Sequence, residues 1–191
     1  MELTASPLSG WSNFYVVVGS GAAALIGLQF VVIALIWNVR RVSSGNTLGA
    51  FATPTIVHFG AVLMLSCIVI APWPTLPSAA VALSISGAIG VGYSIVVIRR
   101  ARLQTDYKPV LEDWLFHAII PTSAYIVLLV AALAMITIPR ISLFAIGSVA
   151  LALLITGIHN AWDTVTYIVI EEARRQSQPS DQGEPTGPTS G

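Results

Sequence analysis

The stretch "ISLFAIGSVALALLITGIHNAWDTVTYIVI", residues 141–170, decides the fold. Its first half is almost wholly apolar, and then His159, Asn160, Asp163, Thr164 and Thr166 arrive within eight residues. As a helix rising about 1.5 Å per residue the stretch would run about 45 Å, longer than the roughly 30 Å hydrocarbon core of a bilayer. A run this long and this apolar reads as a membrane span. An ionisable pair inside a span is costly, so it marks the place where the chain's polar chemistry lies.

Composition agrees with that reading. The chain has 191 residues, of which 55% are hydrophobic and 9% charged, with a mean hydropathy of +0.80. Soluble domains carry about 25% charged residues, so the expected solvent is the lipid bilayer. A net charge of zero argues against a nucleic-acid partner. Cys67 is the single cysteine and sits in an apolar run, which excludes an internal disulfide and a cysteine-rich metal site. The opening "MELTASPLSGW" has no Lys or Arg, and the apolar run behind it is too long for the core of a signal peptide. It reads as the first span.

Five stretches are long and apolar enough to be expected as spans: Phe14–Trp37, Thr53–Pro72, Ala79–Ile98, Leu115–Ile138 and Ile141–Ile170. "RRVSSGN", "PWPTLP", "RRARLQTDYKPVLED" and "IPR" punctuate them. Pro54 is expected in the first turn of its helix, where a missing N–H does no harm. In a five-span arrangement Arg40, Arg41, Arg99, Arg100, Arg102, Lys108, Arg174 and Arg175 share one side, and Arg140 alone takes the other. Basic residues favour the cytoplasmic side. The expectation is therefore an all-α polytopic bundle with its N-terminus outside and its C-terminus in the cytoplasm. Residues 1–13 form a short extracytoplasmic lead, 14–170 the five-helix membrane domain, and 171–191 a cytoplasmic disordered tail rich in Pro, Gly and Ser.

Small residues permit close helix approach in lipid. Ala82, Ser86, Gly90 and Ser94 form one such face on the third span, and Gly19, Ala23 and Gly27 another on the first. Both are expected near the centre of the bundle. "GAIGVG", within the third span, is read as packing rather than as a nucleotide loop, because no strand precedes it.

The three histidines fall in one half of the membrane. His58 and His117 lie near the starts of the second and fourth spans, and His159 lies in the second half of the fifth. Thr156, His159, Asn160, Asp163 and Tyr167 share a stripe, with His159 and Asp163 as i,i+4 neighbours. Asp113 and His117 repeat that spacing, and Pro121 frees the His117 carbonyl. Gln29 and Tyr93 reach the same depth on the first and third spans. Simpler readings stand beside these. Glu112 and Asp113 suit a solvated helix start, His117 an interfacial side chain, His58 a packing residue, and His159–Asp163 a clamp between helices.

The strings "TPTIVHFGAV", "LEDWLFH" and "GIHNAWDTVTYIV" resemble segments of a family of small bacterial inner-membrane proteins without an assigned activity. The resemblance covers roughly 14–170. It implies a bacterial inner-membrane location and a five-helix unit, and carries no site residues with it.

Three functions follow as expectations. The first is a structural or accessory membrane component, with a homo-oligomer or a membrane partner protein left open. The second is a site for haem b or a divalent metal, with His58, His117 and His159 as ligands and Asp163 as ligand or as support for a ligand. The third is proton or small-solute transport through His159–Asp163.

Overall fold

The structure, a computed structural model, describes residues 7–39, 46–103 and 114–177, with the side chains of some of these, Tyr167 among them, left undescribed. The described residues fold into helices joined by short turns, with no strand among them. A 3-10 turn at Ser9–Trp11 leads into α1 (Ser12–Val39), followed by α2 (Asn46–Ile70) and α3 (Leu76–Leu103). A π-helical turn at Leu115–Ile119 opens α4 (Ile120–Ala134), and α5 (Pro139–Ser177) completes the set. Among the described residues four segments are long and apolar enough to cross a membrane: Ser9–Leu35, Leu76–Arg100, Leu115–Ala134 and Pro139–Thr166. Pro54–Ile70 of α2 is a shorter apolar stretch beside them.

Successive helices run antiparallel, as their contacts require. Gly87 of α3 meets Leu129 of α4, and Gly90 meets Tyr125. The turns between them are tight: Trp73 donates its indole N–H to the Ile68 carbonyl at 2.6 Å, and Thr137 and Ile138 donate back to Ala134. Helices α2, α5, α4 and α3 close a four-membered ring in that order, and α1 packs outside it, mainly on α2. Helices α2 and α4 therefore face each other diagonally across the ring.

The expectation that both small-residue faces lie near the centre of the bundle is corrected for α1, which lies outside the ring on α2, whereas α3 is part of the ring and packs on α4. Gly19 admits Ser66 of α2, whose Cβ would lie 2.7 Å from a Cβ built at Gly19. Gly27 faces open space and Ala23 is exposed, so the stripe on α1 is used only at one end. On α3, Gly87 and Gly90 admit the α4 backbone and the Tyr125 ring. A glycine stripe allows close approach but does not say by which neighbour.

Pro54 brings a second correction. Because α2 starts at Asn46, Pro54 lies inside the helix rather than in its first turn. Its ring and missing N–H leave the Ala50 carbonyl without its helical donor. The expected disordered tail over 171–191 is corrected in its first part: helix α5 continues past Ile170 to Ser177, while 178–191 lie outside the described residues. At 39 residues the helix spans about 58 Å, well beyond a hydrocarbon core of roughly 30 Å.

The half of the ring nearer the 71–75 and 135–138 turns is mainly apolar, with Ser66 and Ser142 as its buried polar side chains. Leu65, Leu83, Leu128, Ile146, Leu153 and Met135 are all buried there. At its end Trp11, Phe14, Tyr15 and Phe144 form an edge-to-face cluster, with Trp11 and Phe144 centroids 4.9 Å apart. Trp and Tyr gather at membrane–water boundaries in this way. Outward-facing Val17, Ile89, Ile141 and Trp162 are more than half exposed, a surface suited to acyl chains and hostile to water.

Candidate functional site

Hydroxyls in a membrane helix usually satisfy themselves on their own backbone. Ser66, Ser84, Ser86, Ser94 and Thr156 each donate to the carbonyl four residues earlier, at 2.7–3.0 Å. Polar side chains that do otherwise stand out: Tyr15 and Ser142 lie at the end near the 135–138 turn, and the others lie in the half of the ring where α2 and α4 begin.

His58 on α2 is 2% exposed. Its Nδ1 lies 3.1 Å from the Tyr125 hydroxyl on α4, so the pair spans the ring diagonally. The Tyr125 ring is seated on Gly90 of α3, and Tyr93 of α3 stands edge-on to His58 with ring centroids 6.5 Å apart. His117 lies within electrostatic range of His58. On α5, Gly157 faces Phe59 of α2 and His159 stacks on Phe116 of α4 at 3.6 Å. With about 100° between successive residues, Asn160 points between those two directions, toward the ring centre, and it is fully buried. Ile158 and Trp162 point outward.

Several of these groups lack partners. Among the described residues His58 Nε2, His117 Nδ1, Thr122 Oγ1 and both Asn160 amide atoms are buried with no hydrogen bond. Each buried orphan costs about 1–3 kcal/mol, so five would cost roughly 5–15 kcal/mol, comparable with the entire stability of an ordinary fold.

The turn carrying His117 is itself unusual. Ile120 N–H bonds to the Leu115 carbonyl, an i→i+5 closure. Pro121 explains it: in a regular helix its ring would collide with the His117 carbonyl, and the wider turn relieves that collision. Pro121 has no N–H to give, so at least one carbonyl of this turn lacks a helical donor.

The expected stripe on α5 divides in two. Thr156 and Asn160 face the ring centre. His159 and Asp163 lie on the rim, with Nε2 and Oδ2 3.1 Å apart and side chains 25% and 46% exposed. No three His, Cys, Asp or Glu side chains gather as a metal would require, among the described residues. His58, His117, His159 and Asp163 thus do not surround one point. Gln29 is buried, but in a separate groove of about 240 Å³ between α1, α2 and α5, lined by Leu28, Phe59 and Trp162. Asp113 lies outside the described residues, as does the Tyr167 side chain.

Tyr125 and Thr122 escaped the sequence reading. The available signal was a phenol deep in "PTSAYIVLLV", since a buried tyrosine hydroxyl usually has a partner. Comparison of the chain with protein-family models, with curated proteins and with solved structures finds no match.

Proposed function

We propose that the chain is a five-span protein of the bacterial inner membrane, N-terminus outside and C-terminus in the cytoplasm, acting as a structural or accessory component. Helix α2 is the fifth span. Its 25 helical residues would reach about 37 Å, and the eight-to-one distribution of basic residues suits this arrangement alone. The observation that carries the accessory reading is the division of the polar groups. His58 and Tyr125 tether α2 to α4, while His159 and Asp163 form a local pair within α5. That is the arrangement of a bundle being held together, not of ligands converging on a metal.

Conduction has less support. Above the polar layer, the ring centre is filled by Leu65, Leu83, Leu128 and Leu153, and Ser66 is bonded to its own helix. The reading is tested on purified protein in liposomes. It expects no proton flux above empty vesicles, no Soret absorption and no stoichiometric metal. A flux abolished by Asp163→Asn would replace it with transport, and a Soret band or bound metal with a cofactor site. Topology is checked separately in a Cys67→Ala background. Arg140→Cys should react with an impermeant maleimide on intact spheroplasts, and Arg102→Cys only after lysis. The opposite pattern would reverse the orientation.

A further inference from the structure

We infer that the centre of the α2–α5–α4–α3 ring is a water-binding site, in which a small cluster of water molecules joins His58, His117, Thr122 and Asn160. This goes beyond the accessory reading and does not depend on it, because it rests on the packing of the ring alone.

Three observations lead there. Five buried polar atoms from three helices have no partner among the described residues: His58 Nε2, His117 Nδ1, Thr122 Oγ1 and both amide atoms of Asn160. His58 and Asn160 are 2% and 0% exposed, so neither is served by bulk solvent. The π-helical turn at Leu115–Ile119, which carries His117, adds a backbone carbonyl without a helical donor, and turns of this kind recur at functional sites.

The chemistry of the set selects the occupant. It offers donors and acceptors together, and no carboxylate or ammonium among the orphans. The His58–Tyr125 bond sharpens this. If the phenol donates to Nδ1, then Nε2 carries a proton in need of an acceptor. If Nδ1 donates to the phenol oxygen, then Nε2 needs a donor, and so does the phenol proton an acceptor. Either tautomer is completed by a molecule that both gives and takes hydrogen bonds. Water makes about three bonds in buried sites, so about three molecules bonded in a chain complete all five atoms. On one side of these groups the ring is filled by the buried Leu65, Leu83, Leu128 and Leu153.

The experiment uses the full chain in lipid nanodiscs with 15N-labelled histidine, each ring assigned by its own His→Phe variant. Magnetisation transfer from water to the ring nitrogens of His58 and His117 should be prompt, and Asn160→Leu should weaken the transfer to His58 several-fold. Asn160→Leu should also lower the melting temperature, because a bridged amide is lost. No water transfer to His58 in the folded protein, with its ring N–H persisting for hours in D2O, would overturn the inference. So would a rise in melting temperature with Asn160→Leu, the result expected when an unpaired amide leaves a dry site. A stoichiometric small molecule other than water, detected by native mass spectrometry and lost in Asn160→Leu, would overturn it as well.

Discussion

Two histidines each meet a polar partner at the same 3.1 Å, and the fold uses them in opposite ways. His58 reaches Tyr125, 67 residues away, across the interior of a four-helix ring. His159 reaches Asp163 one turn along its own helix, on a partly exposed rim. Distance alone does not rank them. Burial and connectivity do: the first contact joins two helices that share little backbone contact, and the second joins a helix to itself. In lipid, where apolar surfaces gain little by meeting each other, a long-range polar bond has more to contribute than a local one.

That contrast is open to attack from several directions. The largest effect is expected from Gly90→Leu, because a side chain there would displace the Tyr125 ring. It should cost about 3 kcal/mol from overpacking and also break the bond to His58, as read by unfolding in micelles. Gly27→Leu is its control, since Gly27 faces open space and should change stability by less than about 0.5 kcal/mol. If both substitutions cost the same, the two glycine faces do not differ as described.

Next comes Tyr125→Phe, which leaves the ring on Gly90 but removes the hydroxyl. It should cost between about 0.6 and 1.7 kcal/mol, the range of hydrogen bonds between membrane helices. Smallest is the rim pair: Asp163→Asn or His159→Gln should each cost less than about 0.5 kcal/mol, as for other half-exposed i,i+4 pairs. A larger loss at the rim than at Tyr125 would invert the comparison.

The same contrast shows what could be read without a structure. His159–Asp163 was legible because a local pair leaves a local signature, the i,i+4 spacing in "HNAWD". The existence and rough place of α1, α3 and α5 were legible for a related reason, since hydropathy and punctuation act along the chain, but the helical ends beyond the apolar runs, Leu103 on α3 and Ser177 on α5, were not. His58–Tyr125 was not, because nothing in a chain's spacing records which distant helix a side chain will face. The glycine stripes show the same limit: Gly19 and Gly90 mark close approaches, and only the structure names α2 and α4 as the neighbours. The start of α2 differs because a proline suits a first helical turn and so points to a start near Thr53, whereas the helix begins at Asn46 and accepts Pro54 within it. Asn160 was picked out for its polarity. Its separation from His159, inward against outward, needed the helix to be set between its neighbours.

The central claim is that His58 and Tyr125 tie α2 to α4 through the interior. A double-mutant cycle of His58→Phe and Tyr125→Phe, followed by reversible unfolding in micelles, tests it most directly. The account predicts a favourable coupling of about 1 kcal/mol, with that of His159 and Asp163 less than half as large. A coupling of zero between His58 and Tyr125, or a larger one on the rim, would contradict it.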